Sequence, residues 1–183
     1  MLFRSQLRPR QLIVLANEIA CRAVKTNNFP RFGEGDIRDG IKAAEKRLAI
    51  EVISAYSSVY PKVGQILDVL TGMPGIFKGS ELDKRAHQTA SQWPNGDYSP
   101  WRFRQILSEL GVVGRVRYLD HNAKVAAVDF EYATEGRLPL LDQDLCAIHP
   151  MFYDKLRIKL DPPSRVYPFP DHPEFLELNN HDH

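Results

Sequence analysis

One short stretch concentrates side chains suited to recognition chemistry. Ser99-Pro100 reads as an N-cap and a first helical residue, and Phe103, Ile106, Leu107 and Leu110 then mark a buried stripe. The opposite, solvent face of that helix is expected to carry Trp101, Arg102, Arg104, Gln105 and Ser108. Arginine and glutamine can read base edges in a major groove. Lys84, Arg85 and His87 on the preceding helix are placed to meet phosphates, and His121 and Lys124 stand at the tip of the hairpin that follows.

The competing explanation is ordinary charge pairing. Residues 101–124 hold five Lys/Arg and two acids, but residues 61–133 hold nine Lys/Arg and eight acids. That balance is far from the footprint of a dedicated nucleic-acid binder. In a hairpin centred near Ala123, Arg115 and Arg117 are expected opposite Glu131 and Asp129, as cross-strand ion pairs. The same surface would serve for contact with a protein.

Catalytic constellations are weaker. Cys146 and His149 would need a helix to meet, and Pro150 with the apolar run Leu145–Ile148 argues for a strand end there. Cys146 is expected in the core, and His149 to cap or pack a last short helix. Asp142 and Asp144 read as solvated loop acids. The tail histidines His172, His181 and His183, with Asp182, lack a fixed frame for a metal. No G-x-x-x-x-G-K-[ST] phosphate loop occurs. The chain is therefore expected to be non-catalytic, with no cofactor or metal of its own.

The elements that must position these residues follow from hydrophobic periodicity. Pro9 opens a helix with Leu12, Leu15, Ala16, Ile19 and Ala23 on one face. Asn27 to Gly35 breaks the pattern, and Asp36 is the expected N-cap of a long helix to Tyr60, with a stripe from Ile37 through Ile41, Ala44, Leu48 and Val52 to Tyr56. Pro61 opens a third helix ending before Gly72, and Ser80 caps a segment from Glu81 to Gln92. After Gly111 the period changes to two, over Arg115–Leu119 and Ala126–Tyr132. The fold expected is mainly α with a small β-hairpin. A helical lid-like bundle (1–60) precedes a winged helix-turn-helix domain (61–158) and an acidic, proline-rich tail (159–183) that is extended or poorly ordered unless a partner holds it.

The 183 residues suffice for a sizeable core, and the formal net charge is only +1. Charge is polarised, with ten Lys/Arg against six acids in residues 1–60 and five against nine in 134–183. Cys21 and Cys146 both read as buried reduced thiols. No segment approaches the roughly 18 apolar residues of a membrane span, so a cytoplasmic protein without a membrane partner is expected.

An ordered series of short motifs resembles the back end of P-loop ATPases of the AAA+/STAND type. Arg8-Pro9-Arg10 resembles the start of the helical lid. Tyr56-Ser57 and Pro61 match the passage into the winged-helix domain, Leu107 to Gly114 the end of its third helix, and Ile148-His149-Pro150 a late motif of a bacterial subgroup. The resemblance covers roughly residues 4–158 and lacks the nucleotide-binding core. It implies that Arg8 or Arg10 senses ATP held by a separate P-loop domain, and that the winged helix passes nucleotide state to DNA or a protein, in signalling or bacterial defence. A free-standing winged-helix regulator that binds double-stranded DNA, and a protein–protein interaction scaffold, are the alternatives.

Overall fold

The computed structural model describes residues 6, 8–93, 98–120, 125–160 and 165–171. His121, Lys124 and the tail histidines lie outside them.

Helix α1 (Pro9–Lys25) starts at its proline and buries Val14, Leu15, Ile19 and Ala23. Cys21 is exposed, not buried. Two positions beyond Ile19 it has turned about 200° around the helix, away from the stripe. Helix α2 (Glu34–Tyr56) returns antiparallel, as ion pairs Arg10–Glu51, Glu18–Arg47 and Arg22–Asp39 step in opposite directions along the two helices. Gly33, not Asp36, is the N-cap, and Asp36 is the third helical residue, accepting from Gly33 N at 3.0 Å. Ile37 is 40% exposed because the main core begins farther along, at Ala44, Leu48 and Val52. The helix ends at Tyr56 with Ser57 as C-cap, short of the expected Tyr60, and Lys62 takes a φ of +64° before helix α3 (Val63–Asp68).

Strand β1 (Ile76–Lys78) and helix α4 (Ser80–Gln88) follow. Gly79 caps α4, so Ser80 lies inside it, and a 3-10 turn at Ala90–Gln92 replaces its expected last turn. Next come helix α5 (Pro100–Glu109) and strands β2 (Val113–Asp120), β3 (Val125–Asp129) and β4 (Leu145–Ile148). A 3-10 turn at Pro150–Phe152 leads into helix α6 (Tyr153–Leu156), at the expected place, and β5 (Arg165–Tyr167) is the last described element.

The chain is about half helical, with a five-stranded mixed sheet in the order β1-β4-β2-β3-β5. This is larger than the hairpin expected. β4 inserts between β1 and β2, antiparallel to both. With three residues in β1 and four in β4, neither strand is long enough to show a period. β5 pairs parallel with β3, and Val166, Tyr167 and Phe169 are buried. This part of the proline-rich tail is extended and held by the sheet itself. β3 stops at Asp129, and Glu131 begins a 3-10 turn in which its Oε2 accepts from Ser108 Oγ at 2.6 Å and Leu138 N at 3.1 Å.

Val14, Leu15, Leu48 and Val52 belong to the same buried cluster as Ile66, Phe103, Ile106, Met151 and Phe152. The core is therefore continuous across residue 60. At the end of α5, Gly111 has a φ of +64°, and a Cβ there would stand 2.7 Å from both Gln6 Nε2 and a Tyr132 ring carbon. Gln6 Nε2 donates to Leu110 O at 2.8 Å, satisfying a carbonyl left open at the helix end.

Candidate macromolecule-binding face

Helix α5 is fixed at its start by Ser99, whose Oγ accepts from Arg102 N at 3.1 Å. Its outward face holds Trp101, 65% exposed, and the exposed Arg102. Gln105 is half-buried and donates to Glu109 Oε1 at 2.6 Å.

Arg104 and Ser108 do not belong to the solvent face. Arg104 lies about 60° from Leu107 around the helix, and Ser108 only about 40° from Arg104. Arg104 is 9% exposed. Its guanidinium donates to Asp83 Oδ1 at 3.1 Å, to Leu140 O at 2.7 Å and to Asp142. It joins α5 to α4 and to the loop before β4, where Asp142 is an ion-pair partner that still faces solvent. Ser108 Oγ lies 2.6 Å from Glu131 Oε2 and 2.9 Å from Leu138 O, its one proton shared between the two acceptors.

The other expected cations are mostly engaged. Lys84 lies 2.6 Å from Glu81 on the same helix. Arg85 donates to Val69 O at 3.2 Å, and His87 Nδ1 meets the Tyr98 hydroxyl at 3.0 Å. Arg117 sits at a β-bulge: Arg115 opposes Asp129, Val116 opposes Val128, and Tyr118 already opposes Ala127. From there its guanidinium reaches Asp129 and Asp171, each at 2.7 Å. The expected pairing of Arg117 with Asp129 forms, whereas Glu131 turns away from Arg115 toward Ser108. Arg8 and Arg10 are both exposed at the start of α1, Arg10 being 3.8 Å from Glu51.

Arg102 has no carboxylate partner among the described residues. It stands at a groove of about 140 Å³ lined by Val59, Tyr60, Pro61, Ile66, Trp93 and Ile106. Sequence reasoning missed this groove, because its walls come from the α2–α3 turn, from α3, from Trp93 after the 3-10 turn and from α5. The Tyr60 hydroxyl donates to Glu109, and burial, with that carboxylate beside it, pushes Tyr60 up to about 12. Trp93 is pinned by Nε1 donating to Thr89 Oγ1 at 2.8 Å.

The residues weighed for catalysis are structural in their contacts. Burial, with Asp144 nearby, pushes the Cys146 thiol up to about 12, so a reactive thiolate is not formed at neutral pH. His149 is fully buried, and its Nδ1 accepts from Met151 N at 3.1 Å, capping the turn that begins at Pro150. Among the described residues no group of three or more His, Cys, Asp or Glu is arranged to hold a metal ion. Within the same residues no helix is long and apolar enough to cross a membrane. No protein-family model, curated protein or solved structure matches the chain.

Proposed function

We propose that this chain is a non-catalytic binding module of the kind that follows the nucleotide-binding core of AAA+/STAND-type P-loop ATPases, and that its α5 face docks a protein. The order α3, β1, α4, α5, β2, β3 supports a winged-helix-type unit, with the α1–α2 hairpin in the place of the lid. In that reading Arg8 or Arg10 senses nucleotide held by a separate P-loop domain, and α2 carries the change toward α5.

The observation that carries the docking role is the outward pair Trp101–Arg102 beside the groove at Tyr60, Trp93 and Ile106. Tryptophan and arginine are the side chains most enriched at protein binding hot spots. Arg104, Lys84 and Arg117 are paired with carboxylates, which removes part of the positive charge that phosphate binding would need.

The second reading is direct binding to double-stranded DNA, favoured by Arg102, without a carboxylate partner among the described residues, on a helix that follows a helix and a turn. Duplex-DNA anisotropy against salt, with Trp101→Ala and Arg102→Ala beside the unaltered chain, separates the two.

A further inference from the structure

The loop joining α1 to α2 is built around one buried carboxylate. Asp36 is 3% exposed and accepts from Thr26 Oγ1 and Asn28 Nδ2, both at 2.7 Å, and from Gly33 N at 3.0 Å. Asn28 N and Phe29 N both donate to Ala23 O, at 2.8 and 3.2 Å, and Arg31 N donates to Asn28 O at 2.8 Å. Side chain and backbone together hold the loop in one shape.

That shape leaves two phenyl rings in water. Phe29 is 57% exposed and Phe32 48%, and their rings meet edge to face with centroids 6.3 Å apart. Val24 and Ile37, at 56% and 40%, are also exposed on the flanking helix ends. No residue from 16 to 40 belongs to the main core cluster or packs against it. This end of the hairpin is instead closed on itself, where a Cβ on Gly40 would stand 2.6 Å from Ile19 Cα.

The charge around the rings is mixed, with Arg22, Lys25, Arg31 and Arg38 set against Glu34, Asp36 and Asp39. All four cations are exposed; Arg22 and Arg38 pair with Asp39 at 3.1 and 3.7 Å, whereas Lys25 and Arg31 have no carboxylate partner among the described residues. Apolar side chains at the tip, with the cations Lys25 and Arg31 beside them, supply the two signals that surface anchoring in a bilayer requires.

We propose that the α1–α2 tip is a docking prong for an anionic lipid surface. Phe29 and Phe32 enter the headgroup–acyl boundary, and Lys25 and Arg31 meet lipid phosphates. Single-stranded nucleic acid is the nearest competitor, since bases stack on aromatic rings and phosphates attract cations. The lipid is favoured because Val24 and Ile37 offer nothing to a base but partition readily into the acyl boundary. The absence of a spanning segment bears only on crossing a membrane, and this prong needs none. The proposal does not depend on what α5 binds.

The test is co-sedimentation of the whole chain with vesicles of phosphatidylcholine alone, and with about one-third phosphatidylglycerol. Phe29→Ser/Phe32→Ser and Lys25→Gln/Arg31→Gln are run alongside, with circular dichroism to establish that each is folded. Since all four side chains are exposed, both variants are expected to fold. The expected result is binding to the anionic vesicles several-fold above the neutral ones, reduced about tenfold or more by either double variant. No binding to anionic vesicles by the folded chain overturns the proposal. So does binding that the Phe29→Ser/Phe32→Ser variant retains. Phe-dependent binding to a single-stranded oligonucleotide without vesicle binding overturns it in favour of nucleic acid.

Discussion

Arg104 on α5 and Asp83 on α4 form an ion pair with Nη2 and Oδ1 2.9 Å apart, and the arginine end is largely removed from solvent. This contact turns a residue typed for recognition into a staple between two helices. Truncating the arginine would strand the Leu140 carbonyl and two carboxylates without their donor. Arg104→Met is predicted to destabilise the fold by about 2 kcal/mol, read from urea unfolding. Asp142→Asn should cost less than about 1 kcal/mol, because the Asp142 side chain is 66% exposed. A neutral Arg104→Met would return that residue to the list of free recognition side chains.

Gly40 tests the close contact of α1 with α2. Alanine in a helix interior ordinarily gains about 1 kcal/mol over glycine. Here the added Cβ would stand 2.6 Å from Ile19 Cα and 2.9 Å from Ile19 N, against backbone that cannot rotate away. The clash should win, and Gly40→Ala is predicted to lower stability by about 1–3 kcal/mol in thermal or urea unfolding.

Asp36 gives the hairpin tip a pH dependence. Hydrogen bonds from Thr26, then Asn28, then Gly33 N hold its carboxyl below the usual carboxylate value of 3.8. A depressed folded pKa stabilises the fold above the unfolded pKa, and that contribution is lost as pH falls through the folded value. Melting temperature should therefore drop as pH is lowered below about 4, and Asp36→Asn should flatten that part of the profile while lowering stability at neutral pH. An unchanged acid limb in Asp36→Asn would contradict this account.

β5 closes the open edge of β3, and Val166, Tyr167 and Phe169 are buried there. Ending the chain at Leu160 removes this cover. Loss of a few kcal/mol of apolar burial predicts a melting temperature lower by about 5–10 °C. The uncovered edge should also raise aggregation, visible in light scattering. A truncated chain with unchanged melting behaviour would mean that β5 adds nothing to the sheet.

The longer helices, α1, α2 and α5, were legible in the sequence because each is long enough to repeat its stripe. Pro9, Ser99-Pro100 and Pro150 marked helical starts correctly. The sheet was only half legible. β2 and β3 alternate visibly, but the two short strands that widen the sheet on one side carry no period, and β5 hides in a tail whose average composition is acidic and proline-rich. The bulge at Arg117 shifts register by one residue, and no local pattern announces it.

The site divided in the same way. Trp101 and Arg102 fell on the outward face as periodicity implied, whereas Arg104 and Ser108 lie at the border of the stripe, where only tertiary partners decide. Those partners, Asp83, Leu140, Asp142, Glu131 and Leu138, are distant in sequence. The tip phenylalanines did leave a signal, two aromatic residues three apart between an Asn-Asn pair and a glycine. Their exposure follows from the bonds to Asp36, which composition does not reveal.

The central claim is that α5 offers Trp101 and Arg102 to a protein and not to DNA. Fluorescence anisotropy of the chain with random-sequence duplex DNA, from about 50 to about 200 mM salt, tests it most directly. The account predicts no saturable binding even at the lowest salt, since Lys84, Arg104 and Arg117 are already paired with carboxylates. Micromolar binding that weakens steeply with salt, and whose slope becomes shallower in Arg102→Ala, would contradict it and establish a phosphate-contacting helix in its place.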